Sequence, residues 1–304
     1  MERYNKLSTY LKGLYGQRVQ RISIDAGFSC PNRSGEKGNE GCYFCDATGS
    51  GFASFGSGYS IQQQVSLMMQ KYSNRAEKFI LYFQSNTNTY APVSRLKEIY
   101  DSGLCDDRIV ILDISTRPDC VKDEVLELIS SYKDRYGIFI EYGAESVNPN
   151  TLKRFNRRHT YAEYIDAVIR SKKKGLDVVT HFIVDFPCDS YDDVIEMAKS
   201  SSALGISGVK LHSLYYLENT ELGRMYKQKE ITPIRFEEYI DRLILFLEYL
   251  DPAIVVHRLV SEPPSEGVMH GNWGMKKLEL FNYVEKELER RNTYQGKYYN
   301  YLNR

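Results

Sequence analysis

The sequence lacks several features that would place it in a common class of protein. It contains no run of eighteen apolar residues, so no membrane span is predicted. The first six residues form no apolar signal core. Lys and Arg balance Asp and Glu at 40 each, so no long-range attraction to nucleic acid is indicated. We therefore expect a cytoplasmic protein with no membrane partner.

Cysteine is scarce, and its placement is uneven. Six cysteines in 304 residues do not make a disulfide scaffold. Three of them, Cys30, Cys42 and Cys45, fall in one Gly- and Asn-rich loop with the spacing C-x11-C-x2-C. Such a group in the cytosol indicates metal or redox chemistry. The other three are expected to be bystander thiols: Cys105, Cys120 and Cys188.

No fourth cysteine or histidine lies near the three clustered cysteines. Structural zinc sites usually have four protein ligands, whereas thiolates are the normal ligands of iron–sulfur clusters. We predict that Cys30, Cys42 and Cys45 bind three irons of a [4Fe-4S] cluster and leave the fourth iron open. A structural zinc is the alternative interpretation.

Short apolar segments alternate with helical segments along the first two thirds of the chain, which predicts parallel βαβ units. The segments are 19–25, 79–83, 109–114, 138–142, 178–184 and 209–214. Six units are too few for a closed eight-stranded barrel. The prediction is an α/β fold with an open (β/α)6 partial barrel. Two capping boxes, Ser60 with Gln63 and Thr160 with Glu163, predict where two of the helices begin.

The domain organisation follows from the same pattern. Residues 1–20 form an N-terminal extension, residues 21–215 the core, and residues 216–304 a C-terminal α/β extension. Because no long linker separates them, we expect the extension to pack on the barrel as part of one structural unit. Ligands of parallel sheets bind at the carboxyl ends of the strands. The cysteine loop follows the first strand and should lie at that end.

Several separated stretches carry a family resemblance. They are Cys42–Cys45, Thr48–Phe52, Tyr82–Pro92, Ser115–Cys120, Glu141–Ser146, Thr151–Thr160, Val209–His212 and His257–Leu259. Together they resemble the radical S-adenosylmethionine (radical SAM) enzymes and, within them, the Elp3-related bacterial YhcC/YtqA (MnmL-like) branch. The resemblance implies a radical SAM partial barrel in which S-adenosylmethionine chelates the open iron. Reductive cleavage of that cofactor would give a 5′-deoxyadenosyl radical.

The resemblance also implies cofactor contacts. Phe44 would lie near the adenine, and Ser85, Asn86 and Thr87 would meet the amino group of S-adenosylmethionine. Loop packing is the alternative for Phe44. A polar turn that satisfies its own backbone is the alternative for the other three residues.

Charged residues at later strand ends could complete the cofactor site. Glu141 or Glu145 would accept hydrogen bonds from the ribose, although Glu141 could instead form a buried ion pair with a barrel Arg or Lys. Arg117 could hold a carboxylate or phosphate, or form a surface ion pair. Asp185 stands where the family usually has glycine, and His212 points either to the barrel mouth or into the core.

The resemblance implies tRNA as the partner. Arg157, Arg158 and His159 belong to a basic cluster that could contact phosphates, although a solvated helix face is the alternative. His257 and Trp273 lie in the C-terminal third, where substrate contacts are expected.

The implied reaction converts 5-carboxymethylaminomethyluridine at the tRNA wobble position to 5-aminomethyluridine, with flavodoxin or ferredoxin as electron donor. Two other functions stay open from the residues alone. One is a radical SAM enzyme acting on a small molecule or peptide. The other is a non-catalytic, zinc-containing RNA-binding protein.

Overall fold

A computed structural model of the protein describes residues 2–46, 49 and 58–302. Of the predicted stretch Thr48–Phe52, only Gly49 lies within the described residues.

The described residues contain nine β-strands. They are β1 (Val19–Ile24), β2 (Lys78–Phe83), β3 (Ile109–Thr116), β4 (Gly137–Glu145), β5 (Asp177–Ile183), β6 (Gly208–His212), β7 (Tyr216–Leu217), β8 (Val255–Arg258) and β9 (Val268–His270). All six predicted strands are confirmed as β1 to β6.

Ten α-helices and two 3₁₀ helices occur in the same described residues. The α-helices are α1 (Leu7–Tyr15), α2 (Ile61–Tyr72), α3 (Val93–Gly103), α4 (Asp123–Ser130), α5 (Pro149–Arg154), α6 (Tyr161–Lys173), α7 (Tyr191–Leu204), α8 (Glu221–Lys227), α9 (Phe236–Tyr249) and α10 (Lys277–Arg290). The 3₁₀ helices are Pro118–Cys120 and Asn272–Gly274. Among the described helices, none is long and apolar enough to cross a membrane.

Seven strands form one parallel sheet in the order β1-β2-β3-β4-β5-β6-β8. The sheet is a curled half-barrel, so the prediction of an open partial barrel is confirmed. The seventh strand, β8, comes from the C-terminal third and pairs with β6 through Gly208 and Val255. These four residues were assigned from the sequence only to the C-terminal extension, because they carry no signal of which strand they pair with.

The half-barrel has an open seam between its edge strands β1 and β8. Helix α1 packs over the seam, where Val256 donates its N–H to Asn5 O over 2.7 Å. On α1, Leu11 points into the barrel and joins the side chains that fill its lower end, Ile80, Ile111, Phe139 and Val179. The opposite faces of these strands are also apolar, because helices cover the outside of the sheet.

The C-terminal third is tied to the core at several points. Arg242 of α9 is buried and donates to the backbone carbonyls of Val184, Phe186 and Asp189. Gln295 donates its N–H to Arg3 O over 2.9 Å and so joins the two ends of the chain. Strands β7 and β9 pair as a small antiparallel sheet.

Candidate functional site

A cavity of about 740 Å³ lies at the carboxyl ends of the parallel strands. Its walls come from the cysteine loop, the ends of β1 to β6, Arg258 at the end of β8, and residues 261–265 after that strand. The volume falls within the range of small-molecule and cofactor sites. The position is the one that the parallel topology favours for ligands.

The cavity is the top of three layers of side chains inside the half-barrel, because every second residue of a strand points inward. The lowest layer is apolar: Ile80, Ile111, Phe139 and Val179. The next layer on the same strands is polar and charged: Tyr82, Asp113, Glu141, His181 and Lys210. The third layer lines the cavity: Gln84, Ser115, Gly143, Ile183 and His212.

The cysteine loop is held against the segment after α5 by side-chain amides that donate to backbone carbonyls. Asn32 is fully buried, donates to Asn156 O over 2.7 Å, and accepts at its own carbonyl from Gly41 N. Asn156 in turn donates to Gly41 O over 2.6 Å. These contacts join residues more than a hundred positions apart and fix the loop against the fourth βα unit.

The three cysteines share the cavity wall. Cys30, Cys42 and Cys45 all line it, and Cys45 N donates to Cys42 O over 3.0 Å. A hydrogen bond from Cys45 holds the pKa of the Cys42 thiol well below its usual range, against the effect of burial. Arg157 adds to this, since its Nη1 lies 3.6 Å from the Cys42 sulfur. The same hydrogen bond, together with burial, raises the pKa of the Cys45 thiol well above its usual range, so this pair is arranged to hold one thiolate, at Cys42.

The donor set fits an iron–sulfur cluster with a nucleoside cofactor beside it. Within the described part of the chain, no three His, Cys, Asp or Glu side chains already surround one point that could hold a single metal ion. The fit rests instead on three thiols in one cavity and on polar atoms there that have no hydrogen-bond partner among the described residues. These atoms are Thr87 Oγ1, Arg117 Nη1, Arg157 Nε and His212 Nε2. Thiolates bind the irons of such clusters, and the unpartnered donors and acceptors would suit a polar cofactor.

Most predicted cofactor residues line this cavity. They are Phe44, Asn86, Thr87, Arg117, Glu145 and His212. Asn86 and Glu145 both have positive φ, 61° and 67°, which is uncommon away from glycine. Such conformations cluster at ligand sites. Their individual roles stay predictions.

Arg117 and Glu145 already have partners in the protein. Arg117 forms a two-pronged ion pair with Asp119, with both bonds at 2.9 Å. Glu145 pairs with Arg157 over 3.1 Å. Burial raises the pKa of Glu145, although Arg157 opposes the shift. Arg117 is buried, so the surface ion pair considered from the sequence is wrong.

Ser85, Glu141 and Asp185 do not line the cavity. Ser85 is buried, and its hydroxyl has no hydrogen-bond partner among the described residues. Asp185 is buried, and both of its carboxylate oxygens accept from Leu214 N, over 2.8 and 3.0 Å. It thereby holds the segment after β6, whose residues Ser213 and Leu214 form part of the wall.

Glu141 forms the buried ion pair that was the alternative to a ribose contact. It contacts Lys210 Nζ, His181 Nε2 at 2.8 Å and Arg21 at 3.4 Å. Burial alone would raise the pKa of Glu141, but Lys210, His181 and Arg21 hold it well below its usual range. Burial and the neighbouring Arg21 lower the pKa of Lys210 to about 7.

The predicted substrate residues occupy unexpected positions. Arg157 is buried beside Cys42 and bonds to Gly143 O over 2.9 Å, and His159 is buried as well. Arg158 is half exposed, but it donates to Lys37 O and Asn156 Oδ1. The alternative of a solvated helix face is therefore wrong for Arg157 and His159, which are too buried to meet phosphates at the surface, whereas phosphate contact by the exposed Arg158 stays a prediction. Their spacing could not reveal that the cysteine loop packs over them.

His257 and Trp273 also lie outside the large cavity. The His257 side chain is 1% exposed and packs against Phe139 with ring centroids 4.9 Å apart. Trp273 donates to Ile234 O over 3.2 Å and packs on Tyr239. Trp273 is therefore placed as a packing residue, whereas His257 also lies 3.4 Å from Arg21 and 3.9 Å from Glu141 of the charged layer.

Sequence analysis did not select Lys210, Arg258 and Lys277. Lys210 is completely buried below the cavity, and the other two line its wall. Lys210 interrupts the apolar run of β6, whereas Arg258 is the last residue of β8 and is partly buried. A charged residue in a strand buried on both faces needs a partner or a function, and that signal could have identified Lys210.

Comparisons with known proteins agree with this geometry. The Radical SAM superfamily model matches residues 33–200, and the Radical_SAM C-terminal domain model matches residues 206–290. The chain is 33% identical to the uncharacterized protein YtqA of Bacillus subtilis over 99% of this chain and 94% of that protein. It is 32% identical to protein YhcC of Escherichia coli K12, covering 88% of each chain.

More distant similarities extend to Elp3. The chain is 28% identical to the tRNA uridine(34) acetyltransferase of Methanocaldococcus infernus, over 60% of this chain and 34% of that protein. The solved structure of Methanocaldococcus infernus Elp3 with an N-terminal deletion superposes with a TM-score of 0.68 at 18% identity, covering 91% of this chain and 64% of that one. Methylornithine synthase (PylB) superposes with a TM-score of 0.58 at 12% identity, covering 93% of this chain and 85% of that one.

The two superpositions show the fold, and the family models together with the near full-length relatives show the family. The chain belongs to the radical SAM enzymes, in the Elp3-related YhcC/YtqA branch.

Proposed function

We propose that this radical SAM enzyme modifies the wobble uridine of tRNA by converting 5-carboxymethylaminomethyluridine to 5-aminomethyluridine. One observation carries the proposal: the three thiols and several cationic side chains line the same cavity. The relationship to proteins named tRNA uridine(34) acetyltransferase supports uridine 34 as the target.

Cys30, Cys42 and Cys45 would hold the cluster, and Asn86, Thr87 and Glu145 would contact S-adenosylmethionine. When bound, these cofactors would supply an electron and a 5′-deoxyadenosyl radical able to abstract hydrogen from the carboxymethyl carbon beside the amine nitrogen. With S-adenosylmethionine as the net two-electron oxidant, that carbon would form an imine, and one water would break the C–N bond to release the aminomethyl nucleoside and a two-carbon aldehyde acid. The protein's part is to hold the substrate and the cofactor in reach of each other. A flavodoxin or ferredoxin would deliver the electron.

The charge of the cavity wall suits an anionic substrate. Arg258 and Lys277 line the cavity wall, and within the described residues neither forms a salt bridge, although Glu262 of the same wall acts to raise the pKa of Lys277. The carboxymethyl group carries a carboxylate and the nucleotide a phosphate, so either could pair with these cations. A single-stranded anticodon loop also exposes its bases for insertion into a pocket.

The test is nucleoside mass spectrometry of tRNA from cells that contain or lack this protein. Cells lacking it should accumulate 5-carboxymethylaminomethyluridine, and the wild-type gene should restore 5-aminomethyluridine. The Cys45→Ala variant should fail to restore it and should lose iron and sulfide when purified, whereas Cys105→Ala should behave as wild type. An unchanged wobble-uridine profile would remove the tRNA assignment. Zinc without sulfide in the wild-type protein would remove the radical chemistry.

A further inference from the structure

A second cavity lies at the open seam of the half-barrel. Its volume is about 620 Å³, and it is bounded by α1, β1, β8 and the start of α10. Six of its lining residues are cations: Lys6, Lys12, Arg18, Arg21, Arg258 and Lys277. We call this cavity the seam cleft.

The charged residues that line the seam cleft are all positive. Although the whole chain carries equal numbers of acidic and basic residues, none of the described residues lining the cleft is Asp or Glu. Lys6 is neutralised by Glu285 at 3.2 Å, and Arg21 by Asp113 at 2.9 Å. A local concentration of positive charge in a neutral protein is the electrostatic signature of an anion site.

Four of the six cations have no such partner. Within the described part of the chain, Lys12, Arg18, Arg258 and Lys277 form no salt bridge. Lys12 and Arg18 are exposed. Burial and the nearby Arg258 lower the pKa of Lys277, with Glu262 acting in the opposite direction. Mutual repulsion between Arg258 and Lys277 would be relieved by an anion placed between them.

The seam cleft adjoins the large cavity. Arg258 and Lys277 line both, so the two cavities meet at this pair of cations. A chain of negative charges lying in the cleft would therefore lead directly into the cavity that contains the cysteines. Phe281 borders the cleft as well and offers an aromatic surface beside the cations.

We propose that the seam cleft binds the phosphodiester backbone of the RNA substrate and guides its target nucleotide past Arg258 and Lys277 into the large cavity. This inference rests on the proposed function. It assigns RNA contact to α1, β8 and α10, in place of the buried and internally bonded Arg157, Arg158 and His159. An acidic electron-transfer protein fits less well, since such a partner must approach the cysteine loop, and no residue from Cys30 to Cys45 lines the cleft.

The test measures binding of a tRNA anticodon stem-loop by fluorescence anisotropy at several salt concentrations. Lys12→Glu/Arg18→Glu is compared with Lys71→Glu/Arg75→Glu, which reverses two exposed cations at the end of α2, outside both cavities. The seam variant should bind roughly tenfold more weakly or worse, and the slope of log K against log salt should fall by about 1.4 for two lost phosphate contacts. The α2 variant should bind as wild type.

A measurement on the wild-type protein avoids any effect of substitution on folding. The stem-loop should protect Lys12 and Lys277 from acetylation, as read by mass spectrometry, and should leave Lys71 and Lys97 reactive. If the wild-type protein binds and modifies tRNA but the seam variant binds equally well and Lys12 stays reactive, the seam inference is wrong while the proposed function stands. Protection of Lys12 and Lys277 by flavodoxin and not by RNA would also overturn it. An unchanged wobble-uridine profile in cells would instead remove the proposed function itself.

Discussion

At the scale of single residues, the inward-facing side chains of the half-barrel's strands change from apolar to polar or charged and then to cavity-lining at successive inward positions. Glu141 sits one such position above apolar Phe139 and one below Gly143 of the cavity wall. A buried carboxylate is costly unless paired, and Lys210, Arg21 and His181 supply the pairing. The charged layer therefore gives the cavity a rigid, polar base.

Asp185 gives the clearest pH-dependent prediction. Burial raises its pKa to about 7, although the N–H of Leu214 opposes the shift. Because the folded state holds this proton more tightly than the unfolded state, the residue contributes stability at low pH, and that contribution is lost as pH rises from about 4 towards 7. The loss is at most about 4 kcal/mol for a shift of roughly three pKa units.

The Asp185→Asn variant tests this directly, because asparagine cannot titrate. Its free energy of unfolding relative to wild type should increase from pH 5 to pH 8, as measured by urea denaturation at each pH. At pH 5 the wild-type carboxyl is largely protonated in the folded protein. The difference in unfolding free energy at this pH is therefore the internal control, because it reports any pH-independent effect of replacing the carboxyl with an amide. A difference between the two proteins that does not change with pH would contradict the assignment.

At the scale of elements, helix α9 connects the C-terminal third to the barrel through one side chain. Arg242 is 3% exposed and donates to Val184 O, Phe186 O and Asp189 O at 3.2, 2.9 and 2.6 Å. These carbonyls belong to the segment after β5, which also contains Asp185. One guanidinium thus donates to three backbone carbonyls, of which Phe186 O also accepts from Asp189 N over 3.1 Å.

Replacing Arg242 with Met should destabilise the protein by about 3 to 5 kcal/mol, since Val184 O and Asp189 O would lose this donor and Phe186 O would keep only the N–H of Asp189. Arg291→Met is the matched control. Arg291 bonds to Asp241 and Glu287 at the surface, and its loss should cost less than about 1 kcal/mol. Urea denaturation midpoints measure both. Equal losses for the two variants would show that the Arg242 contacts contribute no more than surface ion pairs.

At the scale of the whole molecule, the two ends of the chain complete the fold together. Strand β8 extends the sheet beyond β6, α1 covers the seam, and Gln295 accepts from Asn5 N and donates to Ile254 O. The N-terminal extension, the core and the C-terminal extension of the sequence analysis therefore share hydrogen bonds across their boundaries.

The cofactor-free protein should consequently unfold in one cooperative transition. Circular dichroism and tyrosine fluorescence should give coincident urea curves, because loss of β8 removes a strand of the main sheet and exposes the apolar faces beneath it. As a control, Gln295→Ala should lower the midpoint without separating the two curves. Two resolved transitions would show that the C-terminal third is an independent domain.

Local signals in the sequence were enough for much of the fold. The short apolar runs identified β1 to β6, and both predicted capping boxes are confirmed, at Ser60 with Gln63 and at Thr160 with Glu163. The order of the strands placed the cysteine loop at the carboxyl end of the sheet. These features follow from chain periodicity and from contacts between residues three or four positions apart, which the sequence displays directly.

The partners of charged residues were decided only by the tertiary structure. Arg157 looked like part of an exposed basic cluster, yet it lies buried between Glu145 and Cys42. Arg258 and Lys277 come from a strand and a helix that meet only when β8 joins the sheet. The sequence by itself therefore determined the half-barrel and its three thiols. The tertiary structure decided which cations are paired inside the protein and which face a ligand. The partners that stabilise a buried charge are distant in the chain, so the sequence does not show them.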